Sequence, residues 1–194
     1  SIVIENDGLF ESVDYSQNKM DLETLYRDDV RNIIKEAGIV GMGGAGFPAN
    51  VKLTPKNEDE IDYIIVNGAE CEPYLTSDYR RMIEEPEKLI HGLEICINLF
   101  DNAKGIIAIE DNKPEAIKLL RELTKDNDKI TINELKTKYP QGAERQLIYA
   151  NTGRYVNSKM LPADAGCIVH NVDTVVAIYE AVVEGKPLIS RIVT

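Results

Sequence analysis

Hydrophobic and polar positions alternate along this chain in blocks of two different periods. Residues 28–36 carry Val30, Ile33 and Ile34 at helical spacing, and Gly38 stands where such a helix would end, so a helix is predicted to run directly into a glycine-rich loop. Residues 61–66 form an apolar run of strand length that empties into Asn67, Gly68 and Ala69. Helical spacing returns from Thr76, is interrupted at Pro86, and resumes with Leu89, Leu93, Cys96 and Phe100 on one face. Residues 105–109 read as the next strand, and Pro114 sits in the first turn of a helix carrying Ile117, Leu120 and Leu123. Residues 130–132 read as a third strand, followed by a turn at Tyr139, Pro140, Gln141 and Gly142 and a helix with Leu147 and Ile148. A last strand at 167–169 leads to a helix capped by Asn171 or Asp173 and ended by Gly185. Strands and helices in this order predict an α/β layered domain.

Composition narrows the picture. At 194 residues the chain has the length of one domain, able to bury about 70% of its unfolded surface. Hydrophobic residues at 43% and charged residues at 28% are ordinary for a folded protein. The formal net charge of -11 repels polyanions, so nucleic acid is not an expected partner. Any phosphate held here must be held by local groups against the overall field, and backbone N–H clusters suit that task. No apolar run approaches the roughly 20 residues that span a bilayer, and the first residues do not read as a signal peptide. A soluble domain without membrane insertion is expected. Cys71, Cys96 and Cys167 lie too far apart for a CxxC pair, so no metal or iron–sulfur site is expected from this chain, and its thiols are read as reduced. Apolar stretches at both ends, with no initiating Met, suggest residues 1–194 as one domain excised from a longer chain.

The candidate chemistry lies in loops. Gly41, Gly43, Gly44 and Gly46 fall within six residues, where a backbone without Cβ atoms can turn its N–H groups onto a phosphate. A hinge or packing loop explains the same glycines equally well. The usual dinucleotide site has a strand before its glycines, whereas here a helix precedes them. Lys52 follows and can supply a charge, or simply face solvent. Beyond the first strand, Asn67 can donate to and accept from a heteroaromatic edge, and Glu70 and Glu72 can accept from ribose hydroxyls or cap a helix. The turn at 139–144 presents a helix N-terminus carrying about half a positive charge, while Asn171 and Thr174 are polar ligands or caps.

Four segments, taken in order and spacing, resemble the C subunit of Rnf-type electron-transport complexes. They are Gly-Ile-Val-Gly-Met-Gly-Gly-Ala-Gly-Phe-Pro at 38–48, Asn-Gly-Ala-Glu-Cys-Glu-Pro-Tyr-Leu-Thr-Ser-Asp at 67–78, Ile-Glu-Asp-Asn-Lys-Pro at 109–114 and Tyr-Pro-Gln-Gly-Ala-Glu at 139–144. The wider family includes the NADH-oxidising flavoprotein subunit of respiratory complex I. The resemblance implies a Rossmann-like three-layer α/β domain with a mainly parallel sheet and a glycine-rich loop for FMN and NADH. It implies FMN contacts at Gly41, Gly43, Gly44, Lys52, Asn67, Cys71, Gly142, Asn171 and Thr174, and NADH contacts at Phe47, Glu72 and Glu144. The chain departs from the complex I pattern at Met42, Ala69 and Ala143.

The function so implied is electron transfer within an ion-translocating ferredoxin:NAD oxidoreductase, with no side chain serving as nucleophile or general base. The implied partners are other Rnf subunits, a ferredoxin-like carrier and NAD(H), at the cytoplasmic face of the membrane. The 4Fe-4S clusters would belong to the remainder of the subunit. Two rivals are a cobalamin-reductase-like relative of the same family and a docking domain that has lost its flavin.

Overall fold

The computed structural model describes residues 3–18 and 25–192. Seven α-helices and four strands follow one another in these residues: α1 (Arg27–Glu36), α2 (Ala49–Lys52), β1 (Tyr63–Gly68), α3 (Ser77–Glu84), α4 (Pro86–Ile97), β2 (Lys104–Glu110), α5 (Pro114–Leu123), β3 (Ile130–Leu135), α6 (Glu144–Thr152), β4 (Cys167–Asn171) and α7 (Val172–Glu184). The strands form one all-parallel sheet in the order β3-β2-β1-β4. Among the described residues no helix is long and apolar enough to cross a membrane.

Parallel strands with helices on both faces are buried twice over, which is why their sequences read as unbroken apolar runs. In β1, Ile64 and Val66 join the larger core with α4, α5 and α7, while Ile65 turns to the smaller core beneath α6. In β2, Ile107 and Ile109 take the first side and Ile106 and Ala108 the second. The period of two thus assigns each residue to a layer, and the three-layer expectation holds.

Element boundaries move where backbone pairing and side-chain polarity part company. The first strand, expected at 61–66, begins at Tyr63, because Ile61 closes a short 3-10 helix at Glu58–Glu60 and is buried there. It continues through Asn67 and Gly68, which pair in register with Ala108 and Ile109 despite being polar or bare. β4 likewise runs on through His170 and Asn171. The expected punctuation is otherwise in place. Gly38 is left-handed just past α1, Pro114 opens α5, and left-handed Gly185 ends α7.

The two longest helices, α4 and α7, are locked together by a glycine. A Cβ on Gly92 would lie 2.3 Å from the Val175 carbonyl oxygen, so α4 can approach α7 backbone to backbone only because no side chain intervenes. Gly92→Ala is expected to push the helices apart and cost about 1–3 kcal/mol, with about 2–4 °C in Tm per kcal/mol. Gly44→Ala, where a Cβ would meet nothing, should melt with the wild type. Thermal melts of both variants check this.

Candidate functional site

β1 and β4 are neighbours, yet the chain runs from β1 to β2 through α3 and α4 on one face of the sheet and reaches β4 from β3 through α6 on the other. This is the switch point at which ligands collect in open α/β sheets, beyond the carboxyl ends of the strands. Asn67 and Asn171 stand there as register partners. The Asn67 amide donates to the Gly142 carbonyl at 2.9 Å and its oxygen accepts from the Ala69 N–H at 3.2 Å. Gly142 comes so close that a Cβ would sit 2.6 Å from the Ala69 oxygen. Asn171 caps α7 by accepting from the Asp173 N–H at 2.8 Å, and its amide donates to Asp78 at 2.7 Å. The cap of the last helix is therefore Asn171.

The glycine loop lies against this crevice. Val40 and Pro48 form an antiparallel bridge, and the Gly41 N–H donates to the Phe47 carbonyl at 2.8 Å, which closes the loop on itself. From beneath, the buried Thr174 hydroxyl accepts the Met42 N–H at 2.9 Å. The Met42 side chain points into the core, so this departure from the complex I pattern is a packing residue. Gly43 has φ +71° and its Cβ would meet the Asn171 amide at 3.2 Å, whereas a Cβ on Gly44 would meet nothing. One glycine permits close approach and the other leaves open space.

Phe47, Lys52 and Glu144 surround an adjoining cavity of about 550 Å³, with Leu161 and Val169 on its wall. The Lys52 ammonium donates to Glu144 at 3.0 Å and to the Val169 carbonyl of β4 at 3.0 Å, fixing it on the cavity wall. Phe47 is half exposed. Cys71 and Glu72 sit on the loop after β1, the thiol 3.8 Å from the Glu72 carboxylate. The candidate residues thus sort into a crevice set (Gly41, Gly43, Asn67, Gly142, Asn171 and Thr174) beside Gly44, a cavity set, and this loop pair.

A family model for the Nuo51 FMN-binding domain matches residues 34–180. The chain belongs to this family. Among curated relatives, the C subunit of the proton-translocating ferredoxin:NAD(+) oxidoreductase complex of Clostridium ljungdahlii is 47% identical over the whole chain. Its counterpart in the Na(+)-translocating complex of Acetobacterium woodii is 45% identical. The chain spans 42% and 44% of these relatives, less than half their length. The resemblance to the Rnf C subunit is borne out. Among solved structures, an NAD+-reducing [NiFe]-hydrogenase in its H2-reduced state matches with TM-score 0.69 and 25% identity, covering 80% of this chain and 30% of that one.

The residues fit the group this family is named for. The glycine loop offers backbone N–H groups beside open space, and two amide side chains, Asn67 and Asn171, face the same crevice. Among the described residues no cluster of three or more His, Cys, Asp or Glu is arranged to hold a metal ion.

Several residues around the crevice carry roles that the sequence does not announce. Glu70, suited by type to a ribose or to a cap, is a cap: its carboxylate accepts from the Asp78 N–H at 3.0 Å and the Tyr79 N–H at 3.4 Å. Asp78 has no local signal, because nothing near it in sequence tells that it meets Asn171. Burial, together with Glu70, Asp173 and Glu72 nearby, pushes its carboxyl up to about 7, although the Asn171 hydrogen bond opposes this. Arg81 answers the same cluster by binding Asp173 at 2.6 Å. His170 is buried in β4 with Nε2 unpartnered, and burial, then the Lys52 ammonium, pushes its imidazole down to about 3.

These two groups tilt stability in opposite senses. Between the ordinary Asp value of 3.8 and about 7, folded Asp78 holds a proton that the unfolded chain releases, so its contribution falls as pH rises through that window. Between about 3 and 6.5, unfolded His170 holds a proton that the folded chain refuses, so its contribution rises with pH. The difference between wild type and Asp78→Asn isolates the first. Asp78→Asn, which keeps an acceptor for Asn171, should gain several degrees in Tm relative to wild type on going from pH 5 to pH 8. A pH-independent difference in thermal melts would show that Asp78 titrates normally.

Proposed function

We propose that this chain binds FMN in the crevice and NAD(H) in the adjoining cavity, as the nucleotide-facing part of an Rnf-type ferredoxin:NAD oxidoreductase. The observation that carries the reading is the convergence of the glycine loop, Asn67, Gly142 and Asn171 at the β1–β4 switch point. A flavin-free docking domain would have no packing reason to keep glycine at position 44, where a Cβ meets nothing.

Within this reading the loop N–H groups around Gly43 and Gly44 receive the phosphate, which a net charge of -11 would otherwise repel. Asn67 and Asn171, each with its amide committed to the protein, orient the ring edge. Thr174 and Asp78 hold those groups in place. Bound FMN would supply the change from two-electron to one-electron transfer that a hydride donor and an iron–sulfur acceptor require between them. Phe47 offers a face for the adenine, and Lys52 with Glu144 offers a cation and an acceptor for phosphate and ribose. Glu72, exposed beside the crevice, orients the nicotinamide. No side chain has to act as a nucleophile or general base. The onward carriers, 4Fe-4S clusters among them, belong to the longer subunit and its complex, as do ion translocation and membrane association.

Calorimetry on the purified chain should find FMN bound more tightly than FAD. Gly44→Asp, folded by its melt, should bind neither, because it puts bulk and negative charge beside the phosphate. Equal binding of FAD, or flavin retained by Gly44→Asp, would overturn the placement.

The cavity is tested separately. Phe47→Ala should raise the NADH concentration needed for half-maximal flavin bleaching by roughly three- to tenfold and leave FMN affinity unchanged. Anaerobic stopped-flow absorbance measures it.

A further inference from the structure

The segment Ile-Glu-Asp-Asn-Lys-Pro at 109–114 contributes no residue to either space described above, yet it places three charges at the end of a buried strand. The Glu110 side chain is fully buried and that of Lys113 is 8% exposed, with the ammonium 3.9 Å from Glu110 Oε2, an ion pair beyond hydrogen-bond distance. Burying such a pair is seldom the most stable solution, since apolar residues of similar volume do as well or better. Its contacts show what it gains. Lys113 Nζ donates to the Glu70 carbonyl at 3.4 Å and to Asn112 at 3.2 Å. Glu110 Oε1 accepts the Lys138 N–H at 3.2 Å. Asp111 accepts from the Thr137 N–H at 3.0 Å and from its hydroxyl at 2.6 Å.

Those backbone atoms belong to the two loops that line the crevice. Glu70 begins the loop after β1 that carries Cys71 and Glu72. Thr137 and Lys138 begin the turn that carries Gly142, and Gln141 continues the hold by donating to the Lys136 carbonyl at 3.1 Å. The loops then meet through Asn67 and Gly142.

We propose that Glu110 and Lys113 are positioning residues: a buried charge pair that clamps the loop after β1 and the turn after β3 at the spacing the flavin requires. The proposal rests on the FMN reading of the crevice. Lys113 fixes the β1 loop through a main-chain carbonyl, and Glu110 fixes the β3 turn through a main-chain N–H. The attraction between the two charges keeps the two holds in one place.

The test separates positioning from stability. Lys113→Met leaves Glu110 as an uncompensated buried charge and should lower the melting midpoint or prevent folding altogether. The double variant Lys113→Met/Glu110→Gln removes both charges, so its melting midpoint should return to within a few degrees of wild type. Its FMN affinity by calorimetry should nonetheless stay about tenfold weaker, and amide hydrogen exchange in residues 70–76 should be faster than in wild type without flavin. FMN affinity that recovers together with the melting midpoint, or unchanged exchange in residues 70–76, would overturn the clamp. If the wild type binds no FMN, the reading of the crevice fails by itself, while the exchange rates in the double variant still decide whether the pair holds the loop.

Discussion

The site depends on one constraint of topology: β1 has neighbours on both sides, β2 reached across one face of the sheet and β4 across the other. Parallel pairing of β1 with β2 and with β4 fixes Asn67 opposite Asn171 where the strand order reverses, which leaves a gap beyond their carboxyl ends. Backbone hydrogen bonding sets this register. The polar residues at the gap therefore need not stabilise the sheet, and their amides instead tie neighbouring segments together. A glycine loop from before the sheet, and a turn from after β3, close in on the same gap from two further directions.

What holds those arrivals is a set of small polar contacts of modest individual worth, about 0.5–1.5 kcal/mol each. The Met42 N–H on Thr174, the Asn67 amide on Gly142 and the Asn171 amide on Asp78 join segments remote in sequence. Electrostatics works against them locally, since Glu70, Glu72, Asp78 and Asp173 share one neighbourhood and only Asp173 has an arginine directly upon it. The outcome is a carboxyl that keeps its proton far longer than usual, at the point where Asn171 needs an acceptor.

The layers, the crevice loops and the terminating glycines are legible in the sequence because each is written locally. Apolar runs give strands, Pro114 and Asn171 give helix starts, and the cluster at 41–46 gives a loop that needs no Cβ. The strand ends are not legible at Ile61 or at Asn67–Gly68, because backbone pairing ignores side-chain polarity. Glu70 reads two ways since the same carboxylate suits a ribose or a helix start, and geometry alone assigns it to α3. Asp78 and Lys113 are hidden for a deeper reason. Their partners lie 93 and 43 residues away, and no spacing rule links positions so distant. A lysine and two acids packed between a buried strand and a helix-opening proline are the one available hint.

The hydrogen bond between Met42 and Thr174 spans 132 residues and has a consequence in time. A chain emerging from the ribosome at about 5–20 residues per second carries its glycine loop for on the order of ten seconds or more before the first turn of α7 exists. Until then the loop has no hydroxyl beneath it, no Asn171 beside it and no finished sheet to lean on. The crevice takes shape only once β4 and α7 have formed.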